Sequence, residues 1–138
     1  MKYFFKIITC LIYINCSYGQ TVTEAKKDDN EIKIFTKVDT EAAFLGGDTA
    51  WRNFLKKNIN ASVAAKNGAL SGIYKVIIKF IVSKDGSLSD VYCENDPGFG
   101  TCMEAIRLIK KTLKWVPASI NGRNVNAYRR QPIIFIVD

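Results

Sequence analysis

The clearest pattern in this chain is a run of alternating apolar and polar residues over 73–82. Lys75 and Lys79 fall on one side of this run, and five apolar residues share the other side: Tyr74, Val76, Ile78, Phe80 and Val82. This period of two predicts a half-buried β-strand. Lys84-Asp85-Gly86 then suits a tight turn, because glycine accepts positive φ angles, and Leu88 to Cys93 returns antiparallel. The pattern predicts a hairpin.

A further strand is predicted at 128–137, after the turn signal Asn121-Gly122. Pro132 interrupts it, and proline cannot donate a hydrogen bond to a neighbouring strand. We therefore expect this strand at a sheet edge. Arg129 and Arg130 either blunt that edge as charged residues or help it to receive an extended peptide as an added strand.

Two helices are expected, each with one apolar face. The first follows Gly46-Gly47 and the second begins at Thr101, which forms a predicted capping box with Glu104. The apolar faces are Trp51, Phe54, Leu55 and Ile59 in the first helix, and Ala105, Ile106, Ile109 and Leu113 in the second. Residues 60–72 form the connection between the first helix and the hairpin. The predicted order is helix, hairpin, helix and edge strand.

Residues 1–19 have the pattern of a secretory signal peptide: two early lysines, an apolar run over 7–14, and small residues before a cut ahead of Gln20. The apolar run is shorter than the ~20 residues that a membrane-spanning helix needs. An uncleaved anchor and a lipid-modified Cys16 are the alternatives. We expect cleavage and export.

Removing 19 of the 138 residues leaves 119, enough for one domain. Segment 20–41 is polar and charged, which predicts a flexible tether, and residues 42–138 form the predicted domain. The 20 basic residues lose Lys2 and Lys6 on cleavage, so 18 remain against 13 acidic ones, a net charge of +5. Solvated lysines on helix faces explain this charge, and peptidoglycan is an alternative partner. Export argues against nucleic acid.

Four cysteines are present, of which Cys93 and Cys102 remain after cleavage. In an oxidising compartment such a pair is expected to form a disulfide, with two reduced, buried thiols as the alternative. A redox role is disfavoured, because the two cysteines lack the two-residue spacing and the histidine neighbours that lower a thiol pKa.

The composition disfavours an enzyme. The chain has no histidine for general base work, and its sequence contains no metal-ligand cluster, nucleophile motif or phosphate-binding loop. We expect no catalytic residues, no cofactor and no metal. We therefore interpret the chain as a binding module.

Three separate motifs point to a family: Phe44-Leu45-Gly46-Gly47, Lys84-Asp85-Gly86-Ser87-Leu88-Ser89-Asp90-Val91, and Lys114-Trp115-Val116-Pro117-Ala118 followed by Asn121-Gly122. Residues 41–138 resemble the TonB carboxy-terminal domain in its Bacteroidota form. The resemblance rests on the order and spacing of these motifs and on the closing strand that follows a basic pair. Leu45 stands where this form usually has proline.

The resemblance implies an α+β fold of two layers, in which two helices pack on a three-stranded antiparallel sheet. It also implies that the sheet edge binds the short, extended TonB box of outer-membrane TonB-dependent receptors. Carried over to this chain, 128–135 is the docking strand, with the side chains of Arg129, Gln131 and Ile133 adjusting the fit. The predicted partner-binding residues are Tyr128, Arg129, Arg130, Gln131, Ile133 and Phe135. A homodimer through this edge, or an edge covered by the tether, remains open.

Energy transducers of this family have an uncleaved anchor and a long proline-rich spacer, whereas Pro97, Pro117 and Pro132 here all lie in the predicted domain. We therefore expect a stand-alone periplasmic module that captures TonB-box-like segments and is accessory to transport across the outer membrane. One alternative is an inner-membrane-anchored transducer working with ExbB and ExbD. The other is a basic structural module associated with the cell wall.

Overall fold

The computed structural model describes residues 32–138, so the predicted signal peptide lies outside the described residues. The described part combines helices and strands in an α+β arrangement. Its elements in chain order are β1 Ala43–Phe44, α1 Gly47–Asn58, α2 Val63–Lys66, β2 Gly72–Val82, β3 Leu88–Asn95, α3 Thr101–Lys111, β4 Trp115–Val116, β5 Ala118–Ile120, β6 Arg123–Val125 and β7 Ala127–Val137.

The main sheet has three antiparallel strands in the order β3-β2-β7. β2 and β3 form the predicted hairpin, and β7 runs along the other side of β2 from Gly72↔Val137 to Val82↔Ala127. Two small pairs, β1 with β4 and β5 with β6, complete the strands. The prediction that the last strand lies at a sheet edge is confirmed.

The core lies between the main sheet and the two longer helices. Val76, Ile78, Phe80 and Val82 of β2 are fully buried, as their alternation predicts. They pack with Ile133 and Phe135 of β7 and with side chains from α1 and α3: Trp51, Ala105, Leu108 and Ile109. Because each large apolar side chain contributes about 1.5–3 kcal/mol when buried, this single layer of contacts holds the helices on one face of the sheet. We call the opposite face the outer face.

Trp115 is the point at which the three sequence motifs meet. Phe44 of the first motif pairs with Trp115 between β1 and β4, with ring centroids 5.8 Å apart. The carbonyl oxygen of Gly86, in the hairpin motif, accepts a hydrogen bond from the backbone N–H of Trp115 at 3.0 Å, and Gly86 has a φ of 83°. A Cβ atom at Gly86 would collide with the carbonyl oxygen of Trp115. Close approach and positive φ together require glycine at this turn.

The beginning of α3 differs from the predicted capping box. The N-cap is Gly100, in a left-handed conformation, and the Thr101 hydroxyl donates to the carbonyl oxygen of Gly98 at 2.7 Å. The Glu104 carboxylate accepts the backbone N–H of Asn60 at 2.7 Å and two hydrogen bonds from Arg107. The prediction of a capping box is therefore wrong, because both side chains make other hydrogen bonds.

The apolar face of α3 is also shifted. The helix ends at Lys111, so Leu113, predicted on that face, lies beyond the helix and is 93% exposed. Leu108, which the prediction omitted, is fully buried instead. The connection between α1 and β2 contains the single-turn helix α2, in which Ala64 is buried.

The described part of the predicted tether, 32–41, lies against the domain in place of the free coil expected there. Phe35 forms an isolated parallel bridge with Ala127, and Thr40 forms an antiparallel one with Ser119. Asp39 accepts the backbone N–H of Asn121 at 2.8 Å. These contacts tie residues 35–40 to β5 and to the start of β7.

The predicted disulfide has the required geometry. Cys93 on β3 and Cys102 in the first turn of α3 have Cα atoms 6.1 Å apart and bonded sulfur atoms. The disulfide joins β3, the edge strand opposite β7, to α3.

Candidate functional site at the sheet edge

The two edges of the main sheet differ in regularity. Along β3 the pairing with β2 shifts register twice, between Ile77 and Ile78 and between Lys79 and Ile81. Asp90 in the same strand has a φ of 49°. Irregular pairing of this kind hinders the addition of another strand. β3 is therefore a poor edge for peptide binding.

β7, by contrast, pairs with β2 over all 11 of its residues without a register shift. Among the described residues, Phe35 covers the beginning of β7 on the outward side: the Phe35 N–H donates to the Asn126 carbonyl oxygen at 2.8 Å, and the Tyr128 N–H donates to the Phe35 carbonyl oxygen at 3.0 Å. Within residues 32–138, no other backbone segment pairs with the outward side of β7. A regular strand edge is thus available beyond Tyr128.

The backbone groups that face outward follow from Tyr128. Backbone hydrogen-bonding groups alternate in direction along a strand, so Arg130, Pro132, Ile134 and Ile136 face outward as Tyr128 does. Pro132 lacks an N–H but faces away from β2, so the pairing of β7 with β2 loses no hydrogen bond there. We call the outward backbone groups of Arg130, Pro132, Ile134 and Ile136 the free edge.

Half of the predicted partner-binding side chains point into the protein. Gln131 is buried, and Ile133 and Phe135 are each 1% exposed, facing the core. The prediction that Gln131 and Ile133 adjust the fit to a partner conflicts with this burial, because the period of two turns odd-numbered residues of β7 toward the helices. Their contribution is to hold β7 in place.

The remaining predicted residues, Tyr128, Arg129 and Arg130, reach the surface, and Arg130 is tied to β3. The Arg130 Nε donates to both carboxylate oxygens of Glu94, at 2.9 and 2.8 Å. This hydrogen bonding lowers the pKa of Glu94 and raises the pKa of Arg130. Lys79, on the strand between them, lies 3.9 Å from Glu94 and 4.4 Å from the Tyr128 ring centroid. The sequence alone does not indicate a role for Glu94 and Lys79 here, because only the sheet register brings them beside Arg130.

A depression of about 360 Å³ lies where the free edge meets the 35–41 segment. We call it the edge depression; its lining residues are Thr36, Glu41, Lys79, Tyr128, Arg129 and Arg130. The Arg129 side chain is 26% exposed, and its Nη1 lies 3.8 Å from Glu41. Its Nη2 makes a long hydrogen bond of 3.3 Å to Gln131. Its Nε is buried and has no hydrogen-bond partner among the described residues.

The other end of the free edge is apolar. Ile134 and Ile136 of β7 and Ile73 of β2 are 53%, 63% and 72% exposed on the outer face. Ile73 is paired with Ile136, and Lys75 with Ile134, so the isoleucines are neighbours across the two strands. We call Ile73, Ile134 and Ile136 the outer-face patch. None of these three residues was among the predicted partner-binding residues.

Other chemistry is limited in the part of the chain that the structure describes. No group of three or more histidine, cysteine, aspartate or glutamate residues between 32 and 138 is placed to hold a metal ion. No helix in that range is long and apolar enough to cross a membrane.

No family model, no curated protein and no solved structure matches this chain.

Proposed function

We propose that this chain is a periplasmic binding module, similar to the TonB C-terminal domain, that captures extended, TonB-box-like segments of outer-membrane receptors. The captured segment adds to β7 as a fourth strand, and the module is accessory to TonB-dependent transport. The observation that supports this most is the free edge: Arg130, Pro132, Ile134 and Ile136 present backbone groups that no segment within residues 32–138 pairs, along a regular strand.

Backbone pairing alone gives weak binding. Three N–H groups and four carbonyl groups face outward, and each new hydrogen bond contributes about 0.5–1.5 kcal/mol net. Ordering a flexible peptide costs about 1–2 kcal/mol per residue, which offsets most of this gain. Side-chain contacts must therefore supply the affinity and the selectivity. The outer-face patch and the edge depression lie at the two ends of the free edge and are suited to that role.

The family resemblance adds independent support. The three motifs that carry it are separate in the sequence but contact one another around Trp115, through Phe44 and Gly86. Motifs that belong to one structural unit are expected to meet in this way. The similarity to TonB domains is the reason for proposing receptors as partners, because the edge itself specifies only an extended peptide.

The cellular side of the proposal depends on residues 1–19. Intact-mass measurement on protein isolated from the native envelope should show a soluble species that begins at Gln20. An intact Met1 in the inner membrane would instead favour an anchored energy transducer working with ExbB and ExbD.

Strand addition is tested with two peptides, Gln-Thr-Thr-Thr-Val-Thr-Val and the same residues in reverse order, each carrying a fluorophore. Their valines match the spacing of Ile134 and Ile136 when the peptide lies parallel or antiparallel to β7. Fluorescence anisotropy with the purified full chain measures the Kd of each. We expect one order to bind and the other to bind more weakly.

The decisive variant is Ile134→Pro, which removes an outward N–H and leaves the pairing of β7 with β2 complete. Ile134→Thr is the matched control, since it removes the same apolar side chain but keeps the N–H. Binding should be weaker in Ile134→Pro than in Ile134→Thr. Equal affinities in two folded variants, or no binding of either peptide by the parent chain, would show that strand addition at this edge is wrong.

A further inference from the structure

Positive charge is concentrated on the helices. Of the residues that the structure describes, 16 are basic and nine are acidic, a net charge of +7. The three helices hold seven of these basic residues and two of the acidic ones, so they account for +5 of this charge. Because α1 and α3 pack on one face of the sheet, the domain has one strongly basic side.

The basic residues of α1 and α3 lack the acidic partners that a solvated helix usually provides. Arg52 and Lys56 are four residues apart on α1, as are Arg107 and Lys111 on α3. Like charges at this spacing destabilise a helix, whereas pairs of opposite charge stabilise it. The helix dipole favours cations in the last turn, which accounts for Lys56 and Lys111 but not for Arg52. Within residues 32–138, the only salt bridge to a basic residue of these helices joins Arg107 to Glu104.

The cations of the two helices form one surface. The Arg107 Nη2 donates to the carbonyl oxygen of Asn58 at 2.6 Å, which places the end of α1 beside the middle of α3. Glu104 is the one carboxylate of α3, but it is buried and already hydrogen-bonded to Arg107, so it offers the other cations no partner. We call the exposed side chains of the following residues the basic face: Arg52, Lys56, Lys57, Lys110 and Lys111.

Two exposed apolar side chains lie with these cations. Met103 is 78% exposed and precedes Arg107 and Lys110 by four and seven residues, so all three lie on the outward side of α3. Leu113 is 93% exposed and lines, with Lys110, an open depression beside β3. Basic residues with apolar side chains among them are typical of surfaces that lie on a bilayer. A hydrated polyanion such as peptidoglycan offers no apolar phase for Met103 and Leu113.

We propose that the basic face binds an anionic phospholipid bilayer. The lysine and arginine heads contact the lipid phosphates, while Met103 and Leu113 enter the boundary between headgroups and acyl chains. This binding goes beyond the proposed function and does not depend on strand addition. The free edge and the outer face belong to the sheet and not to the helices, so they remain accessible in this orientation.

The test is sedimentation of the full chain with sucrose-loaded vesicles of phosphatidylcholine, either alone or with about one-third phosphatidylglycerol. At low salt, the anionic vesicles should bind the chain at least about tenfold more tightly, and the difference should shrink as salt is raised. Lys56→Gln combined with Lys110→Gln should weaken binding to the anionic vesicles by about tenfold or more. The reason is that each cation near such a surface contributes about fivefold.

Lys75→Glu is the matched control. It changes the net charge by the same amount as the double variant, but Lys75 lies on β2 and projects from the outer face. Its binding should stay within about twofold of the parent chain, because salt screens charges on the far side of the sheet. Every variant keeps residues 1–19, so any contribution of that segment to vesicle binding is the same in all of them.

Leu113→Ser tests the choice of lipid over a hydrated polyanion. It should weaken binding to the anionic vesicles by about tenfold, because it removes an apolar side chain that enters the bilayer. The side chain is exposed in the free domain, so its loss should leave the fold intact. Unchanged binding by this variant would overturn the lipid assignment. Retention of the parent chain on isolated peptidoglycan but not on anionic vesicles would overturn it as well.

The role of the basic face is overturned by either of two further results. One is equal binding of the parent chain to neutral and anionic vesicles. The other is an equal loss of binding in the double variant at Lys56 and Lys110 and in Lys75→Glu. None of these results bears on strand addition, which is measured by peptide anisotropy without lipid.

Discussion

The backbone N–H of Tyr128 donates a hydrogen bond to the carbonyl oxygen of Phe35 at 3.0 Å. This contact defines the free edge in two ways. It shows that even-numbered residues of β7 direct their backbone groups away from β2. It also marks the point beyond which no other described residue pairs with those groups. The binding proposal depends on both conclusions.

The alternation along β7 predicts that two adjacent isoleucines contribute very differently to stability. Ile133→Ala should lower the free energy of unfolding by about 2–5 kcal/mol, because Ile133 is buried in the core. Ile134→Ala should change it by no more than about 0.5 kcal/mol, because that side chain lies on the exposed outer face. Urea denaturation measures both, and similar losses in the two variants would contradict the assigned orientation.

The contact between the hairpin and Trp115 predicts that Gly86→Ala is strongly destabilising. It combines a positive φ with a collision between the new Cβ and the Trp115 carbonyl oxygen. We expect a loss of more than about 2 kcal/mol. Gly122→Ala is the control, because Gly122 has a φ of 73° but nothing within 4 Å of the added Cβ. It should cost only about 1 kcal/mol. Equal losses would mean that the close approach to Trp115 is unimportant.

Removal of the disulfide should affect stability but not peptide binding. Replacing Cys93 and Cys102 with serine opens a loop with a sequence separation of 9, a loss of about 2.5 kcal/mol in the chain-entropy model. The disulfide joins β3 to α3, on the opposite side of β2 from the free edge. A peptide Kd that rises together with the loss of stability would indicate that the edge depends on β3.

Protonation of Glu104 should lower the stability of the domain in acid. The hydrogen bond from Arg107 holds the pKa of its carboxyl below the ordinary value of 4.5; burial opposes this effect, and the Asn60 N–H reinforces it. Because the folded-state pKa is lowered, the stabilisation is present above pH 4.5 and is lost as the pH falls through the folded-state pKa.

Glu104→Gln should therefore flatten the decline in stability between about pH 5 and pH 2. Arg107→Gln should flatten it as well, because it removes the largest cause of the shift. Urea midpoints at several pH values measure this decline. If both variants decline as steeply as the parent chain, another group is responsible.

Local patterns in the sequence predicted much of the fold. Alternation identified the buried face of β2, and Pro132 identified β7 as an edge, because each signal depends on neighbouring residues alone. The same alternation, applied to 128–137, would have separated buried Ile133 from exposed Ile134. The partner-binding residues were instead predicted from the family resemblance, which included both faces of the strand.

The predictions that failed did so because of contacts between residues far apart in the sequence. Thr101 and Glu104 have the spacing of a capping box, but Glu104 binds Asn60 and Arg107, which no local signal indicates. Phe35 lies in a polar segment typical of a tether, and its pairing with β7 depends on a partner far along the chain. For the same reason, the edge depression could not be predicted, since it combines residues from 35–41, β2 and β7.

Amide hydrogen exchange tests strand addition most directly. In the free chain, the N–H groups of Arg130, Ile134 and Ile136 should exchange quickly, whereas those of Ile133 and Phe135, which face β2, should exchange slowly. The Tyr128 N–H should already be protected by Phe35. A saturating concentration of whichever peptide order binds more tightly should slow exchange at Arg130, Ile134 and Ile136 by about tenfold or more. Unchanged exchange at these three amides with the peptide bound would contradict the account.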